Sequence, residues 1–464
     1  MQTLEKQDIQ GLLLKAYGRM HNTRYALLHV QNPVLARAWL SRITLEISDG
    51  NHPALETCLN IAFTFSGLKS LGLHDTNLRQ FSREFREGMT TPHRQRLLGD
   101  QGESNPQFWR WGGPREDGLG MNDIHVLLLV FARSEPILHD YWAQLEPVIV
   151  NHGLAVVACL DGIRTPENRE PFGFHDGIGQ ADIQGLHPGT DPDNTVAAGE
   201  FLLGYDNEDG VLPESPVIAA SPQQGDVNLL PTVALGLKDL GHNGSYLVFR
   251  QIEQHVDKFW DFMRRNSSSE SEATRLASKM VGRWPSGAPL TLYPDSDPGG
   301  PHDENVFGYS NHDKDGHRCP IGAHIRRSNP RDVFEGNSPA HSIGLTKKHR
   351  ILRRGRPYRQ ASQLDASQEE TGIHFICLNT DISHQFEFIQ HTWCNFPRFD
   401  HLHNDPDPII GTVGNASPEL VQDFTVQGCP VNRHVHNLER FVTIRGGEYF
   451  FFPSLNAIRY FASL

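Results

Sequence analysis

The chain has 464 residues, 38% of them hydrophobic, enough for one large or two ordinary domains with their own cores. Its formal net charge of −13 argues against nucleic acid or an anionic membrane as the main partner. The longest apolar run, Val126 to Ala132, is too short to span a bilayer. The six cysteines (Cys58, Cys159, Cys319, Cys377, Cys394 and Cys429) form no Cys-x-x-Cys pair, which disfavours a zinc cluster or a dithiol motif and suits a reducing compartment. The N-terminus has no basic stretch followed by an apolar one, so we expect no secretory leader and a cytoplasmic protein.

Residues 24–32 read as a strand ending at Pro33, then a helix with Val34, Leu35, Ala38 and Trp39 on one face. Ala54 to Leu71 carries a helical or mixed pattern. Phe81 to about Gly113 is polar and charged, and Arg94 and Arg96 read as part of a solvated face. Ile124 to Ala132 is a near-continuous apolar run, as in a buried central strand. It feeds an amphipathic helix with Ile137, Leu138, Tyr141, Trp142, Leu145 and Val148 on one stripe. Leu154 to Leu160 reads as another buried strand, and Asp161 to about Gly225 as a long Gly/Asp/Pro-rich loop region of functional or linking kind. Ser245 to Arg250 is a strand, followed by a helix with Val256, Phe259, Trp260 and Met263 on one face. Pro285 to His317 is mostly loop. Ile373 opens a strand that leads to a helix with Ile382, Phe386, Ile389 and Trp393 on one stripe. The last strand, from Phe441, bends at Gly446-Gly447, and we expect no docking tail after it.

The spacing of Tyr25 to Trp39 recurs from Tyr246 to Trp260, in the same strand-to-helix context. Ile124-His125 and Ile373-His374 likewise open strands that lead to Trp-bearing helices. The chain therefore reads as a divergent duplication. Two α+β units, with helices covering mainly antiparallel sheets, fit this order better than a doubly wound parallel sheet.

Three segments carry chemistry. In Pro171 to Gln180, PFGFHDGIGQ, a single carboxylate, Asp176, stands among glycines and aromatics, where apolar neighbours can raise its pKa for proton exchange. In Cys319 to Arg331, CPIGAHIRRSNPR, His324 offers an iron-ligating imidazole, and three arginines suit carboxylates such as haem propionates. In His349 to Tyr358, HRILRRGRPY, arginines flank a tight turn and can supply a fixed cation. Taken singly, each has a commoner meaning: an Asp-Gly turn, a lone histidine in a basic loop, a basic surface loop.

As a set, the three segments resemble those of the dye-decolourising (DyP-type) haem peroxidases, over roughly residues 10–464. The segment GIHFICLNTDISHQFEFIQHTWCN and the terminal FVTIRGGEYFFFP are similar as well. The resemblance implies two ferredoxin-like α+β domains of the dimeric, α+β barrel-like superfamily. Residues 1–213 would carry the Gly-x-x-Asp-Gly motif, and residues 214–464 would hold one haem b per chain. It implies His324 as the axial ligand, Asp176 as the distal proton carrier and Arg353 as the distal charge stabiliser. Arg353 is preferred because Gly355 completes the family's Arg-x-Gly/Asn spacing; Arg354 is the second choice. Ile373 and Phe375 correspond to the apolar distal wall. His175 stands where other members carry a different polar or basic residue, and is expected to contact a propionate. Glu387 and Asp381 are the candidates for a carboxylate behind His324, although a helical wheel turns Glu387 away from the apolar stripe. Trp393, Tyr449 or Tyr460 could relay electrons from bulky donors. The implied partners are hydrogen peroxide and small phenolic or dye-like reductants, with self-association into a homo-oligomer. The rival expectation is a haem-handling protein on the same fold, for storage or iron release. A carrier needs neither Asp176 nor Arg353, and their joint presence favours the enzyme.

Overall fold

A single antiparallel sheet of nine strands runs through the computed structural model, which describes residues 3–117, 119–187, 191–219, 226–234, 236–334, 338–362, 369–412 and 422–464. The strands are β1 (Asn22–Val30), β2 (Thr57–Phe63), β3 (Val126–Ala132), β4 (Leu154–Ile163), β5 (Ser245–Gln254), β6 (Leu352–Arg353), β7 (Arg356–Ala361), β8 (Glu369–Asn379) and β9 (Val442–Phe452). Their order is β6-β8-β5-β9-β2-β3-β1-β4, with β7 also paired to β8. Each half follows the same path: β4-β1-β3-β2 in the first, β9-β5-β8-β6 in the second. Helix α1 (Pro33–Ile43) follows β1, and α2 (Glu135–Asn151) joins β3 to β4. In the second half α3 (Val256–Arg265) follows β5, and a wide-turn (π) helical segment, Ser383–Glu387 and Ile389–Asn395, follows β8. This is the β-α-β-β-α-β order of a ferredoxin-like unit, twice. The halves meet where Phe63 of β2 pairs with Phe451 of β9.

Alternation along the strands splits the core in two. On β3, Val126, Leu128 and Val130 face the helices, while Leu127, Leu129 and Phe131 face a second core shared by both halves. Leu247, Phe249, Phe450 and Phe452 enter that second core from β5 and β9. The sheet curls around it in barrel-like fashion until β7 packs on β4 and His374 reaches the Asp161 carbonyl oxygen. Among the described residues no ladder closes that seam. No helix among them is long and apolar enough to cross a membrane.

Several local expectations change. Asn32 caps α1 by accepting from the amides of Val34 and Leu35, so those two side chains stay exposed in the first turn. The buried face of α1 is Ala36, Trp39, Leu40 and Ile43. Ala54 to Leu71 divides into β2 and a short helix, Phe65–Ser70, capped by Thr64. Leu154–Ile163 is half exposed because β4 ends the sheet and has a ladder on one side only. Arg94 is buried rather than solvated. Its guanidinium meets Glu387 at 2.8 Å, Glu84 at 3.3 Å and Glu87 at 2.5 Å, and a cation so paired can leave water.

Leu128 is fully buried at the centre of the helix-facing core. Leu128→Ala is expected to lower unfolding stability by about 2–5 kcal/mol in a denaturant titration. A loss below about 1 kcal/mol would contradict a close-packed core there.

Candidate active site

The outward face of the second half-sheet forms the floor of a cavity of about 300 Å³. Ile373 and Phe375 on β8 stand opposite Ile252 and Arg250 on β5, and Ile444 on β9 continues the row. All five line the cavity. Side chains reach it from three other places: a short helix, the Gly/Asp-rich loop after β4, and the edge strand β6.

The short helix is α4 (His324–Ser328). Arg327 fastens it by donating to the carbonyls of Gly322, Trp393, Phe396 and Asp405. His324 begins the helix, with Nδ1 2.9 Å from Oδ2 of Asp407. Asp407 is buried, and its Oδ1 accepts from the amides of Ile409 and Ile410, both at 2.9 Å. Burial raises its pKa, but the His324 ring and the Ile410 amide outweigh that and leave it below the usual carboxylate value. An ionised Asp407 accepts a hydrogen bond from Nδ1–H and so selects the tautomer of the ring. Nε2, at the cavity wall, makes no protein hydrogen bond among the described residues.

Asp407 therefore occupies the position expected of Glu387 or Asp381. Glu387 lies elsewhere, accepting from Arg94 and from the Tyr449 hydroxyl at 2.8 Å each. The wide turns of its helix rotate it inward, where a 3.6-residue wheel turned it out. Asp381 accepts from the His384 amide at the start of that helix. The signal that could have found Asp407 is the run Asp-Pro-Ile-Ile, an Asx turn whose free amides wrap one carboxylate oxygen.

The loop after β4 presents Asp176. Gly177 adopts φ 81°, a left-handed turn that its lack of Cβ allows, and its amide donates to Oδ1 of Asp176 at 2.6 Å. The Asp176 amide donates to the Asn168 carbonyl oxygen at 2.8 Å. Asp176 and His175 are half-buried and line the cavity. Burial, ahead of the repulsion from Arg169, lowers the His175 pKa. Glu170 was missed in the sequence. Its carboxylate accepts from the amides of Phe172 and Phe174 and from Gln254 Nε2. Burial pushes its pKa up to about 7.

Arg353 faces the cavity from β6, with Nη2 donating to the Ile178 carbonyl oxygen at 2.5 Å and its amide donating to Gln180. Arg354, its neighbour, points the opposite way and donates to the carbonyls of Leu12 and Leu13. Arg440 lines the same cavity, as does Arg250, which pairs with Asp100, and Arg283, Arg331 and Arg350 form a group there with Arg353. They donate to main-chain and asparagine oxygens, and among the described residues none of the four pairs with a carboxylate. Burial first, then mutual repulsion, lowers Arg283 to about 10 and Arg350 to about 9. Of the three arginines around His324, only Arg331 belongs to this group. Arg326 and Arg327 are fully buried on main-chain carbonyls. Trp393, Tyr449 and Tyr460 are core residues, none more than 5% exposed.

A histidine oriented by a buried carboxylate, over an apolar floor and beside arginines that pair with no carboxylate among the described residues, suits a haem-protein site on a duplicated ferredoxin-like frame. The profile of the family described as "Dyp-type peroxidase, C-terminal" matches residues 223–404. Peroxidase 2 of Mycetinis scorodonius is 30% identical over 434 residues, covering 87% of this chain and 76% of its own. The multifunctional dye peroxidase DyP2 of an Amycolatopsis species is 32% identical over 381 residues, 77% of this chain and 74% of its own. The crystal structure of a fungal DyP-type peroxidase from Auricularia auricula-judae superposes with a TM-score of 0.78 at 25% identity, over 100% of both chains. The chain belongs to the DyP-type, dye-decolourising peroxidase family. It is a haem peroxidase, an oxidoreductase whose cofactor is haem b. The residues present fit that group: Arg283, Arg331, Arg350 and Arg353, without a carboxylate partner among the described residues, suit anions such as propionates, and imidazole nitrogens such as Nε2 of His324 bind haem iron.

Asp407→Ala would strand three donors: the Ile409 and Ile410 amides and His324 Nδ1. Haem titration is expected to show about 10–100-fold weaker binding. Unchanged affinity would contradict the orienting role. Because the folded pKa lies below the usual carboxylate value, the stability this bond contributes is present above that value and is lost as pH falls through the lower folded one.

Proposed function

We propose that this peroxidase uses hydrogen peroxide to oxidise phenolic or dye-like donors, with His324 as the axial ligand of the iron, Asp176 as the proton carrier and Arg353 as the charge stabiliser. The observation that supports this is one cavity lined by the Asp407-held His324 together with both Asp176 and Arg353. When bound, haem b supplies an iron that accepts peroxide and then oxidises donors one electron at a time. Asp176, as a carboxylate, takes the proton from one peroxide oxygen and hands it to the other, which leaves as water. Arg353 stays protonated and so acts on charge, stabilising the anion that develops as the O–O bond breaks. Ile373 and Phe375 form the apolar wall that keeps bulk water from competing for that proton. Arg283, Arg331 and Arg350, with His175, are the residues that would hold the propionates.

The proposal divides the chain at residues 213 and 214, between the strands of the two half-sheets. It also places the protein in the cytoplasm, supported by six unpaired cysteines, and as a homo-oligomer, which sedimentation velocity would read directly.

The test is a substitution series on purified, haem-supplemented protein. His324→Ala is expected to lose haem. Asp176→Ala and Arg353→Leu are expected to keep it and to lose about 10²–10³ in the rate of peroxide turnover. Arg354→Leu, which breaks the Leu12 and Leu13 contacts, is expected to lower the melting temperature and spare the rate. A silent Arg353→Leu together with a slow Arg354→Leu would overturn the assignment. Haem binding with slow turnover that Asp176→Ala leaves unaltered would favour haem handling instead.

A further inference from the structure

Reduction of hydrogen peroxide by two phenols gives two waters and two phenoxyl radicals. The first water takes its second proton from the peroxide itself, by way of a single carrier. The oxygen left behind leaves as water only after two electrons and two protons have reached it. One carboxylate carries one proton at a time, and a second acid faces the same cavity.

That acid is Glu170. It is half-buried and lines the cavity. It receives three hydrogen bonds: the Phe172 amide at 3.0 Å, the Phe174 amide at 2.9 Å and Gln254 Nε2 at 2.6 Å. Among the described residues no lysine or arginine pairs with it. The charged side chain acting on it is Asp176, six positions on in the same loop, whose repulsion adds to burial in favouring the neutral acid. Arg169, next to it in sequence, turns away and donates to the carbonyls of Gly173 and Pro285. Glu253, beside Gln254 on β5, points to the other face and pairs with Arg445. Gln254 Oε1 is buried without a partner, an acceptor that a protonated Glu170, or a water carrying its proton, would satisfy.

We propose that Glu170 is the second acid of this site, a proton store that feeds the cavity while the remaining oxygen is reduced to water. It also positions Asp176, because both amides it holds belong to the turn that leads there. A buried carboxyl without a cation stays neutral well above the usual carboxylate range, up to about pH 7 here. It can therefore give a proton below that pH and has none to give above it.

This inference rests on the peroxidase reading of the cavity, and it is tested with haem-loaded full-length protein and 2,6-dimethoxyphenol. In the wild type, kcat for phenol oxidation is expected to fall as pH rises through about 7. Glu170→Gln is expected to lose that limb and about tenfold in kcat at acid pH, with the loss in kcat rather than in kcat/KM for peroxide. Gln254→Leu removes a hydrogen bond to the ionised form and is expected to move the limb to higher pH. In haem-free protein, infrared difference spectra between wild type and Glu170→Gln are expected to show a protonated-carboxyl band at acid pH that is lost as pH rises through about 7. A limb indifferent to both substitutions, or no such band, overturns the role of Glu170. A wild type that does not oxidise the phenol with peroxide overturns the peroxidase reading itself and leaves the infrared result to judge Glu170 alone.

Discussion

The hydrogen bond between Asp407 and His324 is the constraint on which the site depends. An imidazole on a five-residue helix has two nitrogens, two tautomers and a rotatable ring. Asp407 settles all three at once, because it is buried, ionised and itself held by two amides. Its own amide donates to the Cys394 carbonyl oxygen at 2.7 Å, at the end of the wide-turn helix. Arg327 links the same helix back to α4 through the Trp393 and Phe396 carbonyls. His324, its carboxylate and the wide-turn helix are therefore one hydrogen-bonded unit.

Charge sets the second condition. The chain is acidic overall, yet four of the arginines that line its cavity, Arg283, Arg331, Arg350 and Arg353, pair with no carboxylate among the described residues. Burying like charges together is costly, and the lowered pKa values of Arg283 and Arg350 express that cost. An anionic group that binds such a cluster stabilises it. On the distal loop the balance reverses. Burial first, with repulsion from Asp176 added, pushes the Glu170 pKa up to about 7, so this carboxyl favours its neutral form.

The duplication was legible because alternation and helical stripes survive divergence: Val126 to Ala132 and Ser245 to Arg250 are strands where the pattern puts them. His324, Asp176 and Arg353 stood out only because three segments together resemble one family, since each segment taken singly has a commoner meaning, and the structure brings the three residues to one cavity. Asp407, Glu170 and the Arg94–Glu387 pair could not. Each is defined by a partner far away in sequence: 83 residues separate His324 from Asp407, and 293 separate Arg94 from Glu387. Glu387 shows a second limit, since a wheel drawn at 3.6 residues per turn fails where the helix widens. Leu154–Ile163 shows a third, because an apolar run does not say whether its strand is central or at an edge.

The account is tested most directly by the absorption spectrum of the haem-supplemented protein before and after one equivalent of hydrogen peroxide. It predicts the Soret band of a histidine-bound ferric haem, a change in that band within seconds of adding peroxide, and its return when a phenol is added. A Soret band that peroxide leaves unaltered or merely bleaches would contradict the peroxidase chemistry assigned to Asp176 and Arg353. No Soret band at all would contradict His324 as the ligand.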